Sequence, residues 1–146
     1  MSLSKVEINT SSFKDIVAHL VRCNSSFKPE LSTYVDIPEY SKKLTEYSER
    51  YEVWDNDKLI ALLAFYHKES TIYISNLSVE KDYQGAGIAS TLLNTLKNTL
   101  LNDEMDSIEL EVYKENIIAK AFYERHGFEV VSSLNNKLTL ILKTNV

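Results

Sequence analysis

From Thr71 to Tyr113 the chain changes its hydrophobic period twice, and that switch restricts the folds open to it. Thr71–Val79 alternates as a strand does. From Ile88 the apolar residues fall at 88, 92, 93, 96 and 100, one face of a helix. Ser107–Tyr113 then reads as a strand again. Strand, helix and strand in this order form a crossover, so the two strands are expected to be parallel neighbours. The turn between the first strand and the helix reads Tyr83-Gln84-Gly85-Ala86-Gly87-Ile88-Ala89 and holds two of the chain's three glycines.

The flanking segments fit a sheet around this crossover. Lys5–Asn9 reads as a short strand. Phe13, Ile16, Val17, Leu20 and Val21 follow helical spacing, with Ser12 and Asp15 placed to cap the start. Asp36-Ile37-Pro38-Glu39 opens a second helix, whose apolar face carries Ile37, Tyr40, Leu44 and Tyr47. Tyr51–Trp54 and Leu59–His67 read as strands around the turn Asp55-Asn56-Asp57, and Lys68-Glu69-Ser70 turns into Thr71–Val79. Downstream, Asn116–His126 reads as a helix. Phe128–Ser133 and Leu138–Thr144 read as strands around Leu134-Asn135-Asn136-Lys137. The expectation is one α/β (α+β) domain over residues 1–146: a mixed, mostly antiparallel sheet of about seven strands with helices on both faces.

Composition narrows the function classes. A net charge of −5 argues against a general nucleic-acid binder, which needs a basic surface, but leaves room for one anionic ligand or a cationic substrate. The longest apolar run, Leu59–Tyr66, is far short of the roughly 20 residues of a membrane-spanning helix. Met1–Thr10 lacks the apolar core of a signal peptide. With Cys23 as the single cysteine, no internal disulfide forms, and a buried, inert thiol in a cytoplasmic protein is expected. No metal-ligand spacing is present, so no metal is expected.

A helix start exposes unpaired backbone N–H groups and partial positive charge, and glycines let a phosphate approach them. A tight turn that needs positive φ is the plainer use of the same residues. A mononucleotide loop is excluded because no lysine follows either glycine in the required place. A dinucleotide fingerprint would place Gly or Ala where Ser90 stands, and an acid at the end of the next strand, where the chain reads Tyr113-Lys114.

The stretch Leu77-Ser78-Val79 through Leu93 resembles the cofactor-binding segment of the GCN5-related N-acetyltransferase (GNAT) family, Q/R-x-x-G-x-G/A, matched by Gln84, Gly87 and Ala89. Asn116, Ala119, Tyr123, Gly127 and Phe128 resemble that family's later segment, N-x-x-A-x-x-x-Y-x-x-x-G-F. The two stretches are separated by one helix and one strand, as in the family, and together span roughly residues 71–131.

The resemblance implies acetyl-CoA as co-substrate, with its diphosphate on the backbone of Gln84, Gly85, Ala86, Gly87, Ile88 and Ala89. It implies that the two parallel strands part, and that the pantetheine arm pairs with the backbone near Leu77, Ser78 and Val79. Asn116 is expected to touch the cofactor while also capping its helix. Tyr123 is the expected proton donor to the leaving thiolate. A base is needed too. Glu111, Asn76 or a water chain are candidates, with Glu109 and Glu111 sharing one strand face. The base stays unassigned, and His67 and His126 are read as surface residues.

The acceptor is expected to be an amine, most simply on a small molecule, chosen by the aromatic region Asn24–Tyr51. Within it, Phe27–Leu44 looks somewhat like bacterial members of that family associated with surface-polysaccharide or amino-sugar metabolism. Protein N-alpha or lysine acetylation, and an inactive acyl-CoA-binding sensor or partner module, are the alternatives. A homodimer is left open, since relatives of that family form them.

Overall fold

A computed structural model describes residues 5–144. The opening residues 1–4, part of the leader reading, lie outside it. The strands are β1 (Glu7–Ile8), β2 (Glu49–Asp55), β3 (Lys58–Lys68), β4 (Thr71–Val79), β5 (Ser107–Tyr113), β6 (Glu129–Leu134) and β7 (Lys137–Lys143). They form one seven-stranded sheet in the order β1-β2-β3-β4-β5-β7-β6. The pair β4–β5 is parallel and every other pair is antiparallel. Four α-helices pack on it: α1 (Phe13–Cys23), α2 (Ile37–Tyr47), α3 (Ile88–Asn102) and α4 (Ile117–Arg125).

Local chemistry explains the boundaries. Ser12 and Asp15 form a reciprocal capping box at the start of α1. The Asp36 carboxylate accepts from Glu39 N–H at the start of α2, with proline in its first turn. The first strand is shorter than Lys5–Asn9, because Asn9 takes φ +56° and leaves the extended region.

Two cores lie on opposite sheet faces. One gathers Ile72, Ile74, Leu92, Leu93, Leu96, Ile108, Leu110 and Leu140 under α3 and α4. The other gathers Ile16, Leu20, Ile37, Leu44, Leu59 and Leu62 under α1 and α2. Strand β3 serves both, which is why Leu59–Phe65 is buried without alternation. Tyr47 corrects the expected apolar face of α2: as the helix's last residue it is 71% exposed. Cys23 is fully buried, and burial pushes its thiol up to about 12, as an inert core residue requires.

The feature that positions the site is the shortness of the parallel ladder. β4 and β5 pair only at Thr71↔Ser107, Ile72↔Ile108 and Tyr73↔Glu109. Beyond Tyr73 both strands continue without pairing to each other. On the other side of β4 the register to β3 shifts, with Phe65 opposite Ile74 but Ala64 opposite Asn76. Ser75 is therefore the extra residue of a bulge. Past it, Leu77 and Val79 pack toward the α3 core, while Ser78 turns its hydroxyl to α1.

Candidate functional site

The loop after β4 leaves a row of donors uncommitted. A short 3-10 turn closes first, with Tyr83 N–H donating to Glu80 O at 2.9 Å and Gln84 N–H to Lys81 O at 3.3 Å. The first bond belonging to α3 runs from Thr91 N–H to Gly87 O at 3.0 Å. Between them, none of the main-chain N–H groups from Gly85 to Ser90 donates to an acceptor among the described residues. Gly85 and Gly87 sit at φ +85° and +79°, in the left-handed region. A Cβ on either would meet nothing within 4 Å, so backbone conformation, not crowding by the protein, demands glycine there. The space before these donors is open, and the fifteen-residue α3 directs its positive end into it.

The parted strands supply more free backbone. Glu80 N–H donates to Ile60 O on β3 at 2.9 Å. Antiparallel ladders alternate, so Ser78 and Asn76 also face β3, and Leu77 and Val79 direct their main-chain groups to the unpaired side. The Val79 carbonyl there accepts from Gln84 Nε2 at 2.9 Å. Gln84 is thus committed at its main chain and its side chain, and the open row begins one residue later.

Asn116 caps α4, its Oδ1 accepting from Ala119 N–H at 3.2 Å, which leaves its Nδ2 without an acceptor among the described residues. Tyr123 is buried, with its ring 5.2 Å from Phe122 and 5.4 Å from Phe128 in edge-on contacts. Burial holds its pKa above the usual 10. Buried phenols normally find a hydrogen-bond partner. Tyr123 Oη has none among the described residues, yet it is not fully enclosed, since Ser41 Oγ is the one enclosed side-chain polar atom left without a partner there.

On the opposite sheet face, around the mouth of the gap, carboxylates and rings gather. Glu111 stands on β5 beyond the last β4–β5 pair, and Tyr73 Oη donates to it at 3.4 Å. Tyr34, from the segment between α1 and α2, packs 4.9 Å from Tyr113. Lys137 lies 5.3 Å over the Tyr113 ring. A shallow groove of about 430 Å³ runs from Glu111 and Tyr113 to the β6–β7 turn. Burial and the neighbouring Glu111 push Tyr73 up to about 12, so it is a hydrogen-bond donor throughout the ordinary pH range.

His67 takes the expected surface role, paired with Glu49 and Asp103. His126 does not: it is half-buried, 3.0 Å from Ser90 Oγ, with Lys97 donating to its carbonyl at 2.7 Å. Burial, then Lys97 and Arg125, lower its pKa and keep it neutral. The residue that sequence reasoning missed is His19, fully buried between Leu59 O at 2.9 Å and Ser78 Oγ at 2.8 Å. Its signal was present: it lies on the buried stripe of α1 beside Ile16, Leu20 and Cys23. Among the described residues no group of three His, Cys, Asp or Glu could hold a metal ion, and no helix is long and apolar enough to cross a membrane.

The described strands thus form a mixed α/β domain whose single parallel pair parts beside a helix start with open main-chain donors. The family model described as "Acetyltransferase (GNAT) family" matches residues 13–128. The chain belongs to that family. It is 35% identical over 79 residues to N-alpha-acetyltransferase 30 of Schizosaccharomyces pombe, a match covering 51% of this chain and 53% of that protein. The chain thus matches only about half the length of that relative. The structure superposes with a TM-score of 0.75 on the PaiA N-acetyltransferase of Thermoplasma acidophilum in complex with coenzyme A, at 15% identity and covering 96% of this chain and 99% of that one. With the ribosomal-protein-S18-alanine N-acetyltransferase of Escherichia coli the TM-score is 0.71, at 19% identity, covering 95% and 94%.

Proposed function

We propose that this chain is an acetyl-CoA-dependent N-acetyltransferase acting on an amine. The observation that carries the reading is the uncommitted row of N–H groups from Gly85 to Ser90, set beside the parted strands. Those donors fit a diphosphate, and the outward-facing main chain of Leu77 and Val79 fits the amides of a pantetheine arm. Asn116 Nδ2 is a further donor for that arm. When bound, acetyl-CoA supplies the thioester and its thiol leaving group.

Tyr123 gives its proton to the departing sulfur. Reference values near ~10 for a phenol and ~8.5 for a thiol make this uphill by about 2 kcal/mol, and a dry site raises the thiol's value as well. Glu111 takes the amine proton, its carboxylate standing at the mouth of the gap with Tyr73 holding one oxygen. An alkylamine is only about one part in 10³ neutral at pH 7, so removing that proton is worth roughly 4 kcal/mol. Asn76, the other candidate, has a carboxamide that does not take up a proton at working pH.

A small-molecule amine, including an amino sugar, is the first acceptor to test. Acetylation of a protein N-terminus is the second, favoured by the name of the Schizosaccharomyces pombe relative. The test has two stages. Thermal unfolding with acetyl-CoA, NAD and ATP in parallel should show a shift of several degrees with acetyl-CoA alone, since a ligand at 100 times its Kd stabilises by about 2.7 kcal/mol. Thiol release is then measured with amino sugars, polyamines and Ala-initiated peptides, for the wild type and Tyr123→Phe. The variant should lose about 10²–10⁴-fold in kcat with unchanged acetyl-CoA affinity. Stabilisation by NAD instead overturns the cofactor; binding without turnover on any amine leaves a sensor module.

A further inference from the structure

On the sheet face away from α3 and α4, the strand register lays out a small array of side chains. β5 and β7 pair Glu111 with Thr139 and Tyr113 with Lys137, and β7 and β6 pair Thr139 with Ser132 and Lys137 with Leu134. Cross-strand partners share a face, so these six residues stand in two rows of three. One row is a carboxylate and two hydroxyls: Glu111, Thr139 and Ser132. The other is a ring, an ammonium and an apolar chain: Tyr113, Lys137 and Leu134. All six line the shallow groove at the mouth of the gap.

The polar groups of the array are not spent on one another. Glu111 and Lys137 are diagonal neighbours of opposite charge, yet among the described residues no ion pair joins them. The Lys137 ammonium lies instead 5.3 Å over the Tyr113 ring, which packs against Tyr34. It donates to no acceptor among the described residues, and the Thr139 and Ser132 hydroxyls make no hydrogen bond there either. The turn that carries Lys137 is fixed, because Leu134 pairs with Lys137 across Asn135-Asn136 and Lys114 N–H donates to Asn136 O at 2.8 Å. In a chain of net charge −5 the overall field disfavours anions, so an unpaired cation in the groove reverses that field locally.

We propose that Lys137 selects the acceptor, and that the acceptor is a zwitterion: an amine that also carries a carboxylate or a phosphate. Its nitrogen lies by Glu111 and its anion on Lys137. Thr139, the cross-strand partner of Glu111 and the next residue on this face along β7 from Lys137, supplies a further donor between them. This rests on the acetyltransferase reading and adds to it a substrate class. An amine without the anion leaves the ammonium only its ring, and sites built to hydrogen-bond a group discriminate against analogues that lack it.

The experiment compares kcat/KM within two matched pairs: glucosamine 6-phosphate beside glucosamine, and alanylalanine beside its C-terminal amide. Each pair keeps the amine and changes the anion, and the two arms separate phosphate from carboxylate. The wild type should prefer the anionic member of at least one pair by about tenfold or more, the scale of a hydrogen bond to a charged group. In Lys137→Ala that preference should fall toward unity, in Lys137→Glu it should reverse, and in Lys137→Arg it should persist. The KM for acetyl-CoA should hold in all three, since Lys137 takes no part in the N–H row. Lys137 is exposed, so the variants should fold, and acetyl-CoA-induced thermal stabilisation certifies it. A purely structural role would lower both members of a pair equally. No preference for the anionic member of either pair, turnover confined to amines outside both pairs, or a preference unchanged in Lys137→Ala overturns the proposal while leaving acetyl transfer intact. A wild type that binds acetyl-CoA but acetylates no amine overturns both.

Discussion

At the scale of single residues, Gly87 separates what the fold needs from what a ligand needs. Its φ of +79° costs an alanine about 1–2 kcal/mol, and the protein itself offers a new Cβ no obstruction within 4 Å. Gly87→Ala should therefore lower the unfolding midpoint by a few degrees in the free protein. The methyl would stand in the space before the N–H row, so acetyl-CoA affinity should fall well beyond that cost, by tenfold or more in titration calorimetry. Equal losses in stability and affinity would mean that the diphosphate lies elsewhere. Gly87, Asn116 and Tyr123 could be named as candidates from residue type and spacing alone. The orientation of Asn76 could not be read there, because it depends on His19 and Ser78, which are brought to it from α1 and the same strand by the tertiary fold.

At the scale of elements, α1 is fastened to the end of β4 through Glu80. Arg22 Nε donates to its carboxylate at 2.8 Å, with Lys58 at 3.9 Å and His19 Nδ1 at 3.6 Å. Burial alone would raise Glu80, but the nearby His19 ring and the hydrogen bond and charge of Arg22 outweigh it, and its pKa lies below the ordinary 4.5. A carboxyl depressed by folding contributes stability above its unfolded value and loses it as pH falls through the folded one. The midpoint difference between wild type and Glu80→Gln should thus be widest above the ordinary carboxylate range and narrow as pH falls below it. A difference independent of pH would assign the effect to packing. Helix starts were readable in the sequence because caps are local: Ser12 with Asp15, Asp36 with Glu39. Tyr47 failed because helical spacing cannot show that α2 turns away from the sheet at its last residue. Buried Glu80, Arg50 and Glu52 escaped notice because they take partners from distant segments: Glu52 accepts from Thr10 and Ser11, and Arg50 donates to the Ser11 hydroxyl and carbonyl.

At the scale of the whole molecule, two cores on opposite faces share one sheet, and the sheet is continuous across β4 and β5 only at its closed end. Ile72 and Ile108 are fully buried there, while the strands beyond Tyr73 and Glu109 lack each other's hydrogen bonds. The same packing that makes the closed end rigid holds the open end apart, so the gap belongs to the folded state and needs no local melting. Amide exchange followed by NMR tests this directly. In the free protein the N–H groups of Leu77, Val79 and Gly85 to Ser90 should exchange fast, while those of β3, paired on both sides, exchange slowly. Acetyl-CoA should slow the first set by at least about tenfold and leave β3 unchanged, because a bound ligand protects the groups it accepts from. Slow exchange at Gly85 to Ser90 before any ligand is added would mean that the protein satisfies those donors itself, and the cofactor site would have to be sought outside the parted strands.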